Sequence, residues 1–215
     1  MLEKMGEFFD SRLEGYEEHQ LTAIEGAREF YPFTASLLPE GEVEVLDLGC
    51  GTGLELDYYF ERNPVARVTG IDLAPGMLAA LKKKFPDKRL TLVEGSYFLV
   101  PLDDARYDAA VSVESLHHFT WAEKTALYAR VYKVLRPGGC LILTDYFASS
   151  EEEEENCRYE LEALKHLEKA PSGELYHYDT PLTLEHETEA LRMAGFKQID
   201  VLGRWSSTAT LKASK

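Results

Sequence analysis

From Val43 onward, short apolar runs alternate with segments of helical period. "VEVLDLG", Val43 to Gly49, reads as a buried strand, and "LELDYYFERNP" as a helix stopped by Asn63-Pro64. "ARVTGID" is a second strand. Pro75 starts a helix that carries Leu78, Leu81 and Phe85 on one face and closes at Pro86. "LTLVEG" and "YDAAVSVE" follow as a third and a fourth strand. Thr120 and Glu123 make a capping-box pattern before a helix bearing Leu127, Val131, Val134 and Leu135. Arg136-Pro137-Gly138-Gly139 is expected to end that helix, with "CLILTDY" as the fifth strand. This alternation predicts an α/β fold, a doubly wound and mostly parallel sheet with helices on both faces.

The flanks follow other rhythms. Residues 1 to about 40 read as a helical segment, with Phe8, Phe9, Leu13 and Tyr16 at mixed helical spacing and Pro32 and Pro39 interrupting it. Beyond the fifth strand, "SSEEEEENCRYELEALKHLEKA" is an acidic helix whose glutamates suit a solvated first turn. A loop, "PSGELYHYDTP", precedes the helix "LTLEHETEALRMAG". The last strands, "FKQIDVL" and "WSSTATLKA", are separated only by Gly203-Arg204 and read as an antiparallel hairpin at the sheet edge. No linker or repeat divides the chain. One domain is expected, with residues 1–40 as a helical cap or lid, 43–146 as the core, and 147–215 as a helical insertion and closing hairpin.

Bulk composition narrows the partners. The chain has 215 residues and a formal net charge of −15, a field that repels phosphate backbones. No nucleic-acid partner is expected, and Lys82–Lys84 is explained as a solvated helix face. The three cysteines, Cys50, Cys140 and Cys157, form neither a disulfide framework nor a CxxC clip. The segment "MLEKMGEFFDSRLEG" lacks an apolar stretch, and no run is long enough to span a bilayer. The expectation is a cytoplasmic protein without membrane contact, as monomer or homodimer.

The chemistry concentrates at "VLDLGCGTGLELD". The dinucleotide fingerprint G-x-G-x-x-G fails here, because Gly49, Gly51 and Gly53 are evenly spaced and the third glycine arrives one residue early. Asp47 would face an anionic pyrophosphate unfavourably but suits a cationic amino group. Asp72 ends the second strand, where a carboxylate accepts both hydroxyls of a ribose. The loop therefore suits a nucleoside that carries an amino acid.

"VLDLGCGTG", "GIDLAPGML", "LVEGSYF", "YDAAVSVESLHHF" and "VLRPGGCLILTDY", in that order, resemble the successive motifs of class I S-adenosylmethionine-dependent methyltransferases. The resemblance covers Val43 to Tyr146 closely. It implies a seven-stranded sheet of order 3-2-1-4-5-7-6 with strand 7 antiparallel, and S-adenosylmethionine as cofactor with S-adenosylhomocysteine as product. It would set Gly49, Cys50 and Gly51 against the methionyl part, with Asp47 near its amino group. Asp72 would hold the ribose, and Leu73 and Met77 would pack near the adenine. Gly95, Ser96 and Tyr97 would border its other side, and Val113 and Glu114 would lie under the sulfonium. Ser96 stands where the family often has an acidic residue.

Methyl transfer asks the protein chiefly for alignment and desolvation. A general base is needed only if the acceptor must lose a proton early. His117 and His118 follow the fourth strand at the edge where open α/β sheets bind ligands, and are candidates for that role or for capping the next helix. In "YHYDT", His177, Tyr178 or Asp179 is a candidate acceptor wall or base. If the N-terminal segment folds over the site, Arg12 is expected to pair with the cofactor carboxylate and Tyr16 to cover the sulfonium; the alternative is a core-packing helix with Arg12 solvated. No metal is expected, because the spacing of histidines and cysteines supplies no clip. The expected function is transfer of a methyl group to a small molecule. A binding protein without transfer, or one that makes a modified cofactor, is the alternative, and a nicotinamide-dependent reductase the next.

Overall fold

A computed structural model describes residues 1–215. Three N-terminal helices, α1 (Met5–Ser11), α2 (Tyr16–Ala23) and α3 (Ala27–Ser36), precede the alternating core. There follow β1 (Glu44–Leu48), α4 (Leu54–Arg62), β2 (Arg67–Asp72), α5 (Pro75–Lys84), β3 (Arg89–Glu94) and β4 (Tyr107–Val113). A short 3-10 turn, Leu116–His118, leads into α6 (Trp121–Val134) and β5 (Leu135–Tyr146). The chain closes with α7 (Glu151–Leu167), α8 (Leu184–Met193), β6 (Gln198–Trp205) and β7 (Thr208–Ser214).

The seven strands form one sheet in the order β3-β2-β1-β4-β5-β7-β6. β7 runs antiparallel to both β5 and β6, and the other pairings are parallel. Alternating side chains explain why the central strands read as continuous apolar runs. In β1, Val45 faces the layer of α3, α4 and α5, while Leu46 and Leu48 face α6 and α8. Ala109 and Val111 of β4 and Ile142 of β5 join the first layer; Ala110, Leu141 and Leu143 join the second. No helix is long and apolar enough to cross a membrane.

Three boundaries differ from the sequence expectation. β5 begins at Leu135, and Arg136-Pro137-Gly138-Gly139 bulges from the strand, where the register against β4 shifts between Tyr107 and Ala109. The final hairpin turns at Ser206-Ser207, with φ of 54° at Ser206, not at Gly203-Arg204. Gly203 instead sits in β6 at a register shift, and a Cβ there would lie 2.3 Å from the Trp205 ring. Finally, α3 runs through Pro32. An internal proline removes one helical N–H but does not forbid a helix held by tertiary packing. Phe30, Tyr31, Thr34 and Ala35 of α3 are buried.

The capping box does form: Thr120 Oγ1 accepts from the Glu123 N–H, and Glu123 accepts from the Thr120 N–H. The N-terminal segment is strapped to the loop before α8. The Met5 N–H donates to the Leu175 carbonyl (2.9 Å), and the His177 N–H to the Glu3 carbonyl (3.0 Å). Asp10 Oδ1 of α1 accepts the Gly76 N–H in the first turn of α5 (2.8 Å). These ties hold α1 over the carboxyl ends of the strands.

Candidate functional site

The glycines after β1 serve different contacts. Gly49 has φ of 75°, and a Cβ there would lie 2.0 Å from Ser115 Oγ and 2.7 Å from Ser115 Cβ. Only glycine lets the β1 loop approach the end of β4 this closely. Gly53, with φ of 74°, precedes α4, and a Cβ on it would strike Leu81 of α5 at 2.5 Å. Gly51 faces a cleft, where the nearest side-chain atom to such a Cβ is the Tyr16 hydroxyl at 3.7 Å.

Asp72 closes the other side of this loop. Its Oδ2 accepts the Gly51 N–H (2.8 Å) and its Oδ1 the Ala74 N–H (2.9 Å). Each carboxylate oxygen has capacity for another donor, such as a ribose hydroxyl. Asp47 lies beneath the loop, buried against Glu55 of α4. Asp47 Oδ2 and Glu55 Oε1 have no donor from elsewhere in the chain, and neither has an ion partner. Burial and the Glu55 charge push the Asp47 carboxyl well above the usual range.

The cleft is lined by Gly49, Gly51, Asp72, Leu73, Met77, Tyr97, Val113, Glu114, Ser115 and His118, and is roofed by Met5, Phe9 and Tyr16. Its residues fit an amino-acid-bearing nucleoside: bare backbone at Gly51, free acceptor capacity at Asp72, and apolar walls at Leu73 and Met77. Its volume is only about 40 Å³. Small-molecule sites usually occupy roughly 300–1,000 Å³, so a nucleoside needs Phe9 and Tyr16 to move aside.

Other sequence candidates stand elsewhere. The Cys50 side chain turns to the sheet, 2.7 Å from where a Gly70 Cβ would be, so only its backbone belongs to the loop. The Gly95 N–H donates to the Asp72 carbonyl (2.8 Å), and Ser96 Oγ accepts from the Phe98 N–H (3.3 Å); neither lines this cleft. Arg12 is turned away from it, paired with Glu3 (3.1 Å) and stacked 3.6 Å over the Phe8 ring.

A larger cavity of about 710 Å³ adjoins the cleft, and Phe9, Tyr16, Glu114 and His118 line both. Glu114 directly follows β4 with φ of 48°, accepts a hydrogen bond from Thr208 Oγ1 (3.0 Å), and is pushed up to about 7, chiefly by burial. His117 Nδ1 lies 2.5 Å from Asp145 Oδ1. Burial opposes charge on His117, but the Asp145 and Glu114 carboxylates raise it to about 9. Burial and the neighbouring His117 lower His118 to about 4. Asp179 Oδ1 lies 3.1 Å from His118 Nδ1 and 3.6 Å from His117 Nε2. Although burial opposes its charge, these imidazoles hold the Asp179 carboxyl down to about 2. His177 stacks on Phe8 with centroids 3.4 Å apart, in the same cavity.

Both adjacent histidines therefore line the cavity, their ring centroids 4.1 Å apart on the 3-10 turn. Sequence reasoning missed Asp145 and Ser115. A carboxylate at the carboxyl end of a central strand, in "LTDY", was the available signal for Asp145. Nothing in the sequence marked Ser115, whose contact is with a residue far along the chain.

Comparison with known proteins agrees with this geometry. A family profile described as "Methyltransferase domain" matches residues 45–139. A malonyl-(acyl-carrier protein) O-methyltransferase of Priestia megaterium is 28% identical over 116 residues, 54% of this chain and 41% of that protein. A demethylmenaquinone methyltransferase of Chlorobaculum tepidum is 32% identical over 106 residues, 49% of this chain and 42% of that protein. The chain thus matches less than half the length of these relatives. In fold, it resembles phosphoethanolamine N-methyltransferase 2 of Haemonchus contortus in complex with S-adenosyl-L-methionine. The TM-score is 0.67 at 20% identity, over 90% of this chain and 43% of that one. Glycine loop, strand-end acid, sheet order and matched profile together resemble those of the class I S-adenosylmethionine-dependent methyltransferases, the profile covering residues 45–139 of the 215.

Proposed function

We propose that this chain transfers a methyl group from S-adenosylmethionine to a small molecule held in the 710 Å³ cavity. The observation that carries the proposal is the shared wall of Phe9, Tyr16, Glu114 and His118, across which the cofactor cleft meets that cavity. When bound, the sulfonium supplies an activated methyl whose leaving group is a neutral thioether. The chain's part is positional. Asp72 and the Gly49–Gly51 backbone hold the donor, and Phe9 and Tyr16 exclude water above it. The His117, His118 and Asp179 wall orients the acceptor for in-line attack. A single domain suits this reading, with residues 1–40 as its cap.

The cavity's size fits a small molecule. The net charge of −15 disfavours a nucleic acid. The two relatives are named for different acceptors, so the acceptor class is argued from the cavity and not from them. Incubation with S-adenosylmethionine and a panel of hydroxylated and amine acceptors is expected to release S-adenosylhomocysteine with at least one of them. Binding of S-adenosylhomocysteine with no release across the panel would favour a binding protein without transfer. Binding of NADH in place of S-adenosylhomocysteine would reject the donor.

Asp72 offers a local test. Asp72→Ala should weaken S-adenosylhomocysteine binding by about 1–3 kcal/mol, the cost of leaving buried hydroxyls without an acceptor. The Gly51 and Ala74 N–H groups also lose their partner in this variant. Unchanged affinity by titration calorimetry would put the ribose elsewhere.

A further inference from the structure

The geometry points to a divalent transition-metal site of the zinc class in the wall of the larger cavity, with His117 Nε2, His118 Nδ1 and Asp179 Oδ1 as its ligands. The three atoms lie within 4.8 Å of one another. The two separations from Asp179 Oδ1 are 3.1 Å to His118 and 3.6 Å to His117. Ligand atoms about 2.0–2.2 Å from a tetrahedral ion stand roughly 3.3–3.6 Å apart. Two of the three separations are thus near those of a common ion, and the third, between the imidazoles, is within 4.8 Å.

A second shell is also in place. His117 Nδ1 is engaged by Asp145 Oδ1, which leaves Nε2 to face Asp179. Asp145 is fully buried and accepts the Leu116 and Tyr146 N–H groups (2.9 and 3.0 Å), so its orientation is fixed. A carboxylate behind a ligating histidine sets the tautomer and raises ligand basicity. Asp179 is held from the far side of the sequence, because the Thr180 N–H donates to the His117 carbonyl (2.7 Å). The chain spacing of the three ligands is irregular, and this tie, with the Tyr178 carbonyl 3.2 Å from His118 Nδ1, brings the loop to the turn.

Two imidazole nitrogens and one carboxylate leave at least one coordination position, directed to the cavity. That position suits an acceptor with an oxygen donor, a hydroxyl or an enol. The acceptor role rests on the methyl-transfer reading; the metal site does not.

The test uses the untagged chain, stripped with chelator and titrated with Co²⁺ alone. Saturable visible bands of a low-coordinate site at one equivalent, bleached by Zn²⁺, are expected. Asp179→Asn, in an exposed loop position, should weaken Co²⁺ binding by about tenfold or more, with the metal-free chain still folding in one cooperative transition. Asp145 is a positioning residue, and Asp145→Asn should weaken binding by about 10–100-fold and shift the band positions. His186→Gln, a surface change, should leave the titration as it was. No saturable bands in the parent chain, or full binding in Asp179→Asn, would mean that His118 Nδ1 only donates to Asp179 and to the Tyr178 carbonyl (3.2 Å), and overturns the site. Calorimetry with S-adenosylhomocysteine on the metal-free chain keeps the two proposals apart. Lost nucleoside binding with Co²⁺ retained sinks the methyl donor alone; the reverse sinks the metal alone.

Discussion

Gly49→Ala is expected to lower the affinity for S-adenosylhomocysteine by about a hundredfold or more. Two independent penalties meet at this residue. A φ of 75° is left-handed, which costs a residue with a Cβ about 1–2 kcal/mol. The new methyl would also sit 2.0 Å from Ser115 Oγ and 2.7 Å from Ser115 Cβ. Rotation of the serine removes the first contact but not the second, so the loop itself must shift. Overpacking of this kind costs about 1–3 kcal/mol. The Gly49 and Cys50 N–H groups, both bonded to the Ile71 carbonyl, would be pulled from β2, and Gly51 from Asp72. Calorimetry measures the loss, and thermal unfolding shows how much falls on the fold. Ser115→Gly in the same chain removes the clash and leaves only the backbone penalty. Recovery of about tenfold or more in affinity is therefore expected in the double variant. If Ser115→Gly restores nothing, the loop does not depend on this contact.

Glu187→Ala is expected to destabilise the fold by about 3–5 kcal/mol, the usual result of stripping one partner from a buried ion pair. Lys124 Nζ lies 2.6 Å from Glu187 Oε2, and both side chains are fully buried between α6 and α8. Tyr128 donates to the other Glu187 oxygen. Alanine leaves an ammonium and a hydroxyl without acceptors in the helical layer that supports β4 and β5. Small proteins hold only about 5–15 kcal/mol in total, so the loss should be plain in urea unfolding. Replacing the triad together, as Lys124→Met, Glu187→Leu and Tyr128→Phe, should return most of it, since no buried polar group is then left unpaired. A deficit in Glu187→Ala below about 1 kcal/mol would mean that water reaches the pair.

The strand and helix order was legible because burial on two faces makes each core strand an apolar run and each helix a one-sided stripe. β1, β2, α4, α5 and the capped start of α6 all follow from such local signals. The closing hairpin was legible in kind but not in register. Gly203 drew attention as a turn residue, whereas it serves the Trp205 ring and the turn falls on two serines. A glycine required by a side-chain contact looks the same in sequence as one required by a turn.

The site divides along the same line. The glycine loop and Asp72 are adjacent to strand ends, so their meeting follows from chain order. Arg12 has no such constraint, and its nearest carboxylate proved to be Glu3. His117 and His118 stood out as residues after β4, but their partners Asp145 and Asp179 come from other parts of the chain.

By itself, then, the sequence determined the alternating strands and helices and the glycine loop, because periodicity and a strand-end acid act over short distances, while the strand order and the donor followed from the resemblance of its motifs to a known family. Tertiary structure alone decided which titratable groups meet. Asp47 with Glu55, His117 with Asp145, and His118 with Asp179 are pairings made by burial and close approach. In a buried site those electrostatic terms are large and fall steeply with distance, so they exist only once the elements have docked.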